Sequence, residues 1–336
     1  MSGDEIDLTL CDREPIHVPG SVQPHGLLLV VDPDTLRVRH AGGDAAHWLG
    51  RSDWLDRPLA ELLGDEVEGT ARQVARSGGR VALDRLAASE LVDVSATLHR
   101  SGRHLIVELE RALPAMSPSA LLLRMETIAA AFENATDLRE LFAAAAGAFQ
   151  GLTGYDRVMV YHFLDDDAGV VVAEALAEGQ QSFLNHHFPA SDIPRQARAL
   201  YVRNRIRVIP DVAYRPAPLQ PPWTAPEPLD MSDCALRSVS PIHLQYLKNM
   251  GVGASASISV VIDGALWGLI ACHNEVPRRL PPEIRSTCRI LAGDLARQIK
   301  SRGETDTYRE RVRLRSFEDD LVALLSREGS LDEAIS

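Results

Sequence analysis

Aromatic residues are scarce in this chain, at 5% of its 336 positions, and cysteines number only four. Cys11, Cys234, Cys272 and Cys288 form no CxxC pair and no dense framework. That usage argues against a disulfide scaffold and a structural zinc site, and it fits a reducing cytoplasm. No stretch approaches the ~18 consecutive apolar residues a membrane-spanning helix needs. The opening MSGDEIDLTLCDREP is acidic and lacks the basic and apolar regions of a signal peptide. Leu8-Thr9-Leu10-Cys11 loosely fits a lipoprotein cleavage site, but without an apolar segment before it that reading fails. Positive charge is also short: 35 Lys and Arg against 47 Asp and Glu leave −12. Such a balance disfavours nucleic acid and anionic membranes as partners. GxGxxG, Walker, GxSxG and HExxH patterns are missing too, and with them the common enzyme signals.

What remains is ordinary globular composition, 45% hydrophobic and 24% charged. At roughly 150 residues per domain, the length allows about two domains with a remainder. Gly26 to Val31 is a short apolar run closed by the turn signal Asp32-Pro33-Asp34; Leu36 to His40 alternates, and Asp44 to Leu49 fits a short helix. Ser89 to Thr97 and His104 to Leu109 read as paired strands around Ser101-Gly102. ALPAMSPSA (112–120) reads as a linker, followed by helices over Ala120 to Phe132 and Leu138 to Phe149, the second behind a Thr/Asp cap. Strands are expected over Arg157 to Phe163 and Val170 to Ala175. Ala213 to Asp230 is so rich in proline that it is a functional excursion or a disordered insert. Ser240-Pro241 caps and opens a helix that stops at Gly251. Ala254 to Ile262 and Ala265 to His273 form a hairpin across Asp263-Gly264, and Pro281 to Ser301 is a long helix.

Several residues carry chemistry by type and position, and each has a plainer reading beside it. Cys11 sits beside Asp12, Arg13 and Glu14, where it is a reactive thiol or an incidental one. Asp192, in Phe188-Pro189-Ala190-Ser191-Asp192-Ile193-Pro194, is pinned between prolines, as a site residue or as the cap of a following helix. Arg203, Arg205 and Arg207 recur at period two; on a strand they form one cationic face for carboxylate or phosphate, or a solvated basic edge. His243 and Tyr246 share a helical stripe with Leu247 and Met250, where a lone histidine is usually a satisfied core residue. Ser255, Ser257 and Ser259 present a row of hydroxyls that calls for polar partners such as a bound anion. On the return strand His273 is expected on the face of Trp267, Leu269 and Ala271. His186-His187 lacks further ligands at metal spacing.

In their order these segments are specific. Cys11-Asp-Arg-Glu-Pro-Ile-His-Val-Pro-Gly-Ser-Val-Gln-Pro-His-Gly26, PASDIP (189–194), LRSVSPIHLQYLKNMGVGAS (236–255) and LWGLIACH (266–273) resemble the bacteriophytochrome family over essentially the whole chain. The resemblance implies an α+β fold with an N-terminal arm (1–25), a PAS domain (26–112), a GAF domain (113–303) and the start of a PHY domain (304–336). PAS and GAF would each be an antiparallel sheet flanked by helices. A figure-of-eight knot is expected between the arm and a GAF lasso at 213–230.

The implied cofactor is covalent biliverdin, anchored by a thioether from Cys11 to its ring A. Asp192 and His243 would serve the pyrrole nitrogens of a protonated tetrapyrrole, and His273 the ring D carbonyl. Tyr201, Arg207, Arg237, Ser240, Ser255 and Ser257 would hold the propionates, while Tyr161 and Tyr246 line the ring D cavity. The implied function is red/far-red light sensing, without an enzyme activity in this stretch. The implied output domain in cis is a histidine kinase, and a homodimer through the helices near 120–132 and 282–300 is expected. Other readings are an engineered near-infrared fluorescent reporter, a sensor of a cyclic nucleotide, which makes no use of Cys11 or of the Asp192 and His243 combination, and a bilin reductase or hydrolase, which no nucleotide-cofactor motif supports.

Overall fold

Six consecutive residues, Gly26–Val31, are all buried, although alternation is the rule for a sheet with one wet face. In the computed structural model, which describes residues 14–86, 94–114 and 116–304, both faces of that strand are covered. The first sheet contains β1 (Ser21–Val22), β2 (Gly26–Val31), β3 (Val38–Gly42), β4 (Arg80–Leu86), β5 (Val94–Ser101) and β6 (His104–Arg111). Leu27, Leu29 and Val31 face the helices α1 (Ala45–Leu49), α2 (Leu59–Leu63) and α3 (Asp65–Ser77), whose Leu49, Leu59 and Val67 join them in one core. Leu28 and Val30 face the opposite way, onto Leu219, Leu229, Met231 and Leu236 from far down the chain. The expected helix after Asp44 is present, with the Asp44 carboxylate accepting from the His47 amide. The expected strand start at Ser89 and the stretch assigned to PHY beyond 304 lie outside the described residues.

The second sheet runs β10-β12-β13-β7-β8-β9, antiparallel throughout. Its strands are β7 (Arg157–Phe163), β8 (Gly169–Leu176), β9 (His187–Phe188), β10 (Ile206–Ile209), β12 (Ala254–Ile262) and β13 (Ala265–Asn274). One face packs on α4 (Pro118–Asn134), α5 (Leu138–Thr153) and α8 (residues 282–304) around Phe132, Phe149 and Leu295. The α5 start is a reciprocal cap: Asp137 accepts from the Glu140 amide at 2.8 Å, and Glu140 accepts from the Thr136 amide at 2.8 Å. Gly154, in the left-handed region, stops the helix. The other face carries α6 (Arg195–Arg203), α7 (Pro241–Asn249) and the short 3₁₀ turn Ala190–Asp192.

The proline-rich excursion is ordered, and it returns to the first sheet. Its strand β11 (Ala217–Gln220) inserts between β1 and β3, giving the order β1-β11-β3-β2-β6-β5-β4. On one side of the arm the Leu219 amide donates to the Gly20 carbonyl at 3.0 Å. On the other, the Met231 amide donates to His17, that of Ser238 to Ser21, and Gln23 donates to Leu236 at 2.7 Å. The two limbs of one excursion therefore grip the arm from opposite edges.

Three expectations of local structure are corrected. Arg203 ends α6 and β10 starts only at Ile206, so Arg203, Arg205 and Arg207 do not form one strand face. Arg203 instead pairs with Asp230 and Asp233, while Arg207 is buried. Trp267 does not share the face of His273: the β12–β13 register slips between Val260 and Val261, and the extra residue turns Trp267 towards Phe142 on the helical side. Ser240 stands at the α7 N-cap, but its hydroxyl does not cap the helix; it donates to Glu14 at 2.5 Å.

Candidate functional site

The register of the second sheet determines which side chains meet. Opposed residues of an antiparallel pair point to the same face. Ser255 opposes His273 and Ile209, Ser257 opposes Ala271 and Arg207, and Leu269 opposes Tyr161. These residues therefore form the face away from the helical core. Over it lies a cleft roofed by α6, α7 and the Ala190–Asp192 turn.

Asp192, Tyr201, Arg207, Arg237, Ser240, His243, Tyr246, Ser255 and Ser257 all line this cleft. His273 and Tyr161 sit on the same sheet face but outside its lining. Cys11 lies outside the described residues. The sequence reading missed Glu14, Gln196, Asn204 and Ser238, which line the cleft as well. Glu14 and Ser238 stand inside quoted motifs, so a signal existed, but neither had a stated role. The Gln196 amide donates to the Glu14 carbonyl at 3.2 Å, fixing the arm at the mouth.

One part of the cleft is cationic. Arg207 and Arg237 are only 9% and 7% exposed. Arg207 donates to the carbonyls of Ala235 (3.1 Å) and Arg237, and Arg237 to that of Ser232 (3.1 Å). Among the described residues neither is bonded to a carboxylate, and Nε of Arg237 has no partner. Burial, and then the Arg237 charge, pull Arg207 down to about 9. Burial likewise lowers Arg237. Two desolvated guanidiniums beside Ser255 and Ser257 make a receptor for carboxylates.

Another part is rich in acceptors. Asp192 is not the cap of α6: its carboxylate accepts from the Tyr246 hydroxyl at 3.1 Å, and Pro194 holds the cap position. Burial raises the Asp192 pKa, and the Tyr246 bond opposes that rise. The His243 ring stacks on Tyr246 at 6.2 Å and makes no hydrogen bond to another described residue. Burial first, then Arg207, hold His243 at about 4, so it is neutral near pH 7. His273 is held at about 3, again by burial first and then by Arg157, and its Nδ1 has no partner among the described residues. Burial and the nearby Asp192 push the Tyr161 phenol up to about 12. Gly169 makes room for that ring, since a Cβ there would stand 1.9 Å from its Cζ.

The site thus joins a receptor for two carboxylates to a neutral imidazole and a carboxylate, with Ile193, Leu200, Ile209 and Ile242 as apolar walls. Its donors and acceptors fit a partly apolar molecule that bears acid groups and N–H donors.

Comparison with known proteins gives concordant results. The PAS fold model matches residues 11–112, and the GAF domain model matches residues 137–301. The bacteriophytochrome of Xanthomonas campestris pv. campestris (strain 8004) is 38% identical over 88% of this chain and 48% of its own length. Cyanobacterial phytochrome B of Nostoc sp. is 35% identical over 98% of this chain and 46% of its own length. The chain therefore spans about half the length of these curated relatives. Among solved structures, the chromophore-binding domain of an unusual bacteriophytochrome from R. palustris superposes with a TM-score of 0.80 at 37% identity, covering 88% of this chain and 99% of that one. The Stigmatella aurantiaca phytochrome photosensory core module gives a TM-score of 0.85 at 38% identity, over 95% of this chain and 65% of that one.

Proposed function

The chain belongs to the bacteriophytochrome family, as a PAS–GAF module, and on that premise we propose that it senses red and far-red light through biliverdin held in the described cleft. The observation that carries the reading is the pairing of two buried arginines, bonded to no carboxylate among the described residues, with a neutral histidine and Asp192 in one cavity. Biliverdin supplies red absorption and, on illumination, isomerisation at the bridge between its rings C and D.

The protein's own residues bind, orient and screen. Arg207 and Arg237, with Ser240, Ser255, Ser257 and Tyr201, would hold the propionates. The Asp192 backbone carbonyl and His243 would serve the pyrrole N–H groups; the low pKa of His243 leaves it free to accept. His273 would donate to the ring D carbonyl, and Tyr161 and Tyr246 would shape the space around that ring. Cys11 would form the thioether by adding its S–H across the ring A vinyl group, sulfur to one carbon and hydrogen to the other, so that nothing leaves. It stands three positions before Glu14, whose carbonyl and carboxylate are both bonded at the cleft mouth, and three residues span at most ~10 Å.

The further organisation is part of the same proposal. The domain limits are 26–112 for PAS and 113–303 for GAF, with PHY starting at 304. The grip of residues 217–238 on the arm fits the figure-of-eight knot. Exposed Leu122, Leu123 and Ile290 on α4 and α8 suit a homodimer interface. A histidine kinase in cis and a cytoplasmic location complete the reading; no helix among the described residues is long and apolar enough to cross a membrane.

The test is reconstitution. Purified apoprotein mixed with biliverdin should develop a red band, and alternating red and far-red light should produce a reversible difference spectrum. A mixture whose spectrum stays that of free biliverdin defeats the proposal.

A further inference from the structure

The Asp192 turn is clamped from below by one side chain, and that side chain has no place in the roles assigned so far. Arg198 lies in the first turns of α6, where side chains lean back towards the helix N-terminus. Its guanidinium is 13% exposed and all three of its nitrogens are used. Nε donates to the Ile193 carbonyl at 2.8 Å, and Nη2 to the Ala190 carbonyl at 3.1 Å. Nη1 pairs with Asp167 on the β7–β8 turn, and the group lies over the Phe163 ring, 5.0 Å from its centre. The two carbonyls bracket Asp192. Asp167 is itself fixed: its amide donates to the Leu164 carbonyl at 2.9 Å, and its φ is +69°.

We infer that Arg198 is the positioning residue for the site, holding the backbone of the 190–193 turn against the β7–β8 turn so that the Asp192 carbonyl and carboxylate face the cleft. The inference rests on the proposed function for its meaning in light sensing, and on geometry alone for the clamp. Three acceptors in fixed directions match the planar guanidinium fork, which a lysine ammonium cannot reproduce. Arg195 is the natural control: it sits on the same helix, 4.0 Å from Asp167, with a side chain 90% exposed.

Two readouts test it, one needing no chromophore. In the apoprotein, hydrogen exchange of the backbone amides at 190–193 should quicken at least about tenfold in both Arg198→Gln and Arg198→Lys, and stay at the wild-type rate in Arg195→Gln. In the biliverdin-loaded protein, the pH at which the red band bleaches should fall by about one unit in Arg198→Gln, because a displaced carbonyl supports the protonated bilin less well. Exchange at the wild-type rate in Arg198→Gln, or wild-type behaviour in Arg198→Lys, overturns the inference. Should Arg198→Gln not fold, Asp167→Ala removes only the far anchor and is expected to speed exchange at the same amides; an unchanged rate there overturns the clamp. If wild-type protein takes up no biliverdin, the proposed function fails while the exchange result still judges Arg198.

Discussion

Arg207 donates from its guanidinium to the main-chain carbonyl of Arg237, so two buried cations stand side by side without a carboxylate bonded to either among the described residues. Burial opposes the charge of both, and the Arg237 charge further opposes that of Arg207. The pair gains a purpose when an anion enters. Arg207→Gln should weaken biliverdin binding about ten- to a hundredfold, the worth of charge-assisted hydrogen bonds. The dimethyl ester of biliverdin, which has no carboxylates, should bind wild type and variant alike. Titration by absorbance checks both; equal losses for acid and ester would place the role of Arg207 elsewhere.

Tyr246→Phe removes the hydroxyl that donates to Asp192 at 3.1 Å. Burial already raises this carboxyl and the Tyr246 bond opposes it, so the variant should titrate at higher pH. Because the folded state then holds its proton more tightly than the unfolded one, the contribution to stability is present below the ordinary carboxyl pKa and is lost as pH rises through the folded value. Infrared titration of the carboxyl band, assigned with Asp192→Asn, reads the shift. A midpoint at or below the wild-type value contradicts it.

Glu110 on β6 bridges to Arg285 on α8 and to His25 at 3.4 Å, tying the first sheet to the second domain. Burial pushes Glu110 up, but Arg285 and His25 outweigh it and hold the carboxyl at about 2, against an ordinary 4.5. The stabilisation is therefore complete above pH 4.5 and is lost as pH falls through about 2. Glu110→Gln should cost about 3 kcal/mol at neutral pH and flatten that acid-dependent loss. Urea denaturation across pH 2 to 7 measures it; a parallel pH profile in the variant would exclude the bridge as its source.

Much of this architecture was legible in the residues. Alternation gave the strands, Asp44 and Asp137 gave helix starts, and Asp263-Gly264 gave the hairpin turn, with φ of +49° and +80°. Part of what failed has a plain cause: periodicity says nothing of a register shift or of which segment covers a face. Trp267 changed sides through a bulge invisible in the sequence. The unbroken Gly26–Val31 run is explained only by Leu219 and Leu236, some two hundred positions away. The site residues were read from family motifs; by type alone Arg207 was indistinguishable from the surface pair Arg203 and Arg205. Glu14 was passed over because its partners, the Gln196 and Ser240 side chains, lie some two hundred positions away, and Arg198 because its partners are main-chain carbonyls and the β7–β8 turn.

Gly169→Ala tests the close packing around Tyr161. A Cβ would stand 1.9 Å from Tyr161 Cζ and Oη, so the ring must move. The variant should lose about 1–3 kcal/mol, as overpacked cores do, and Tyr161→Ala should restore part of that loss. Denaturation midpoints of the single and double variants decide; additive losses would show that the two positions do not compete for space.

Covalent capture of biliverdin at Cys11 is the step on which the proposed photoreceptor stands, and intact mass reads it directly. Wild-type protein incubated with biliverdin and then denatured should gain the mass of one chromophore, with the modified peptide containing Cys11, while Cys11→Ala should gain none. Unmodified wild-type protein, or modification at Cys234, Cys272 or Cys288, all of them buried, would contradict the account.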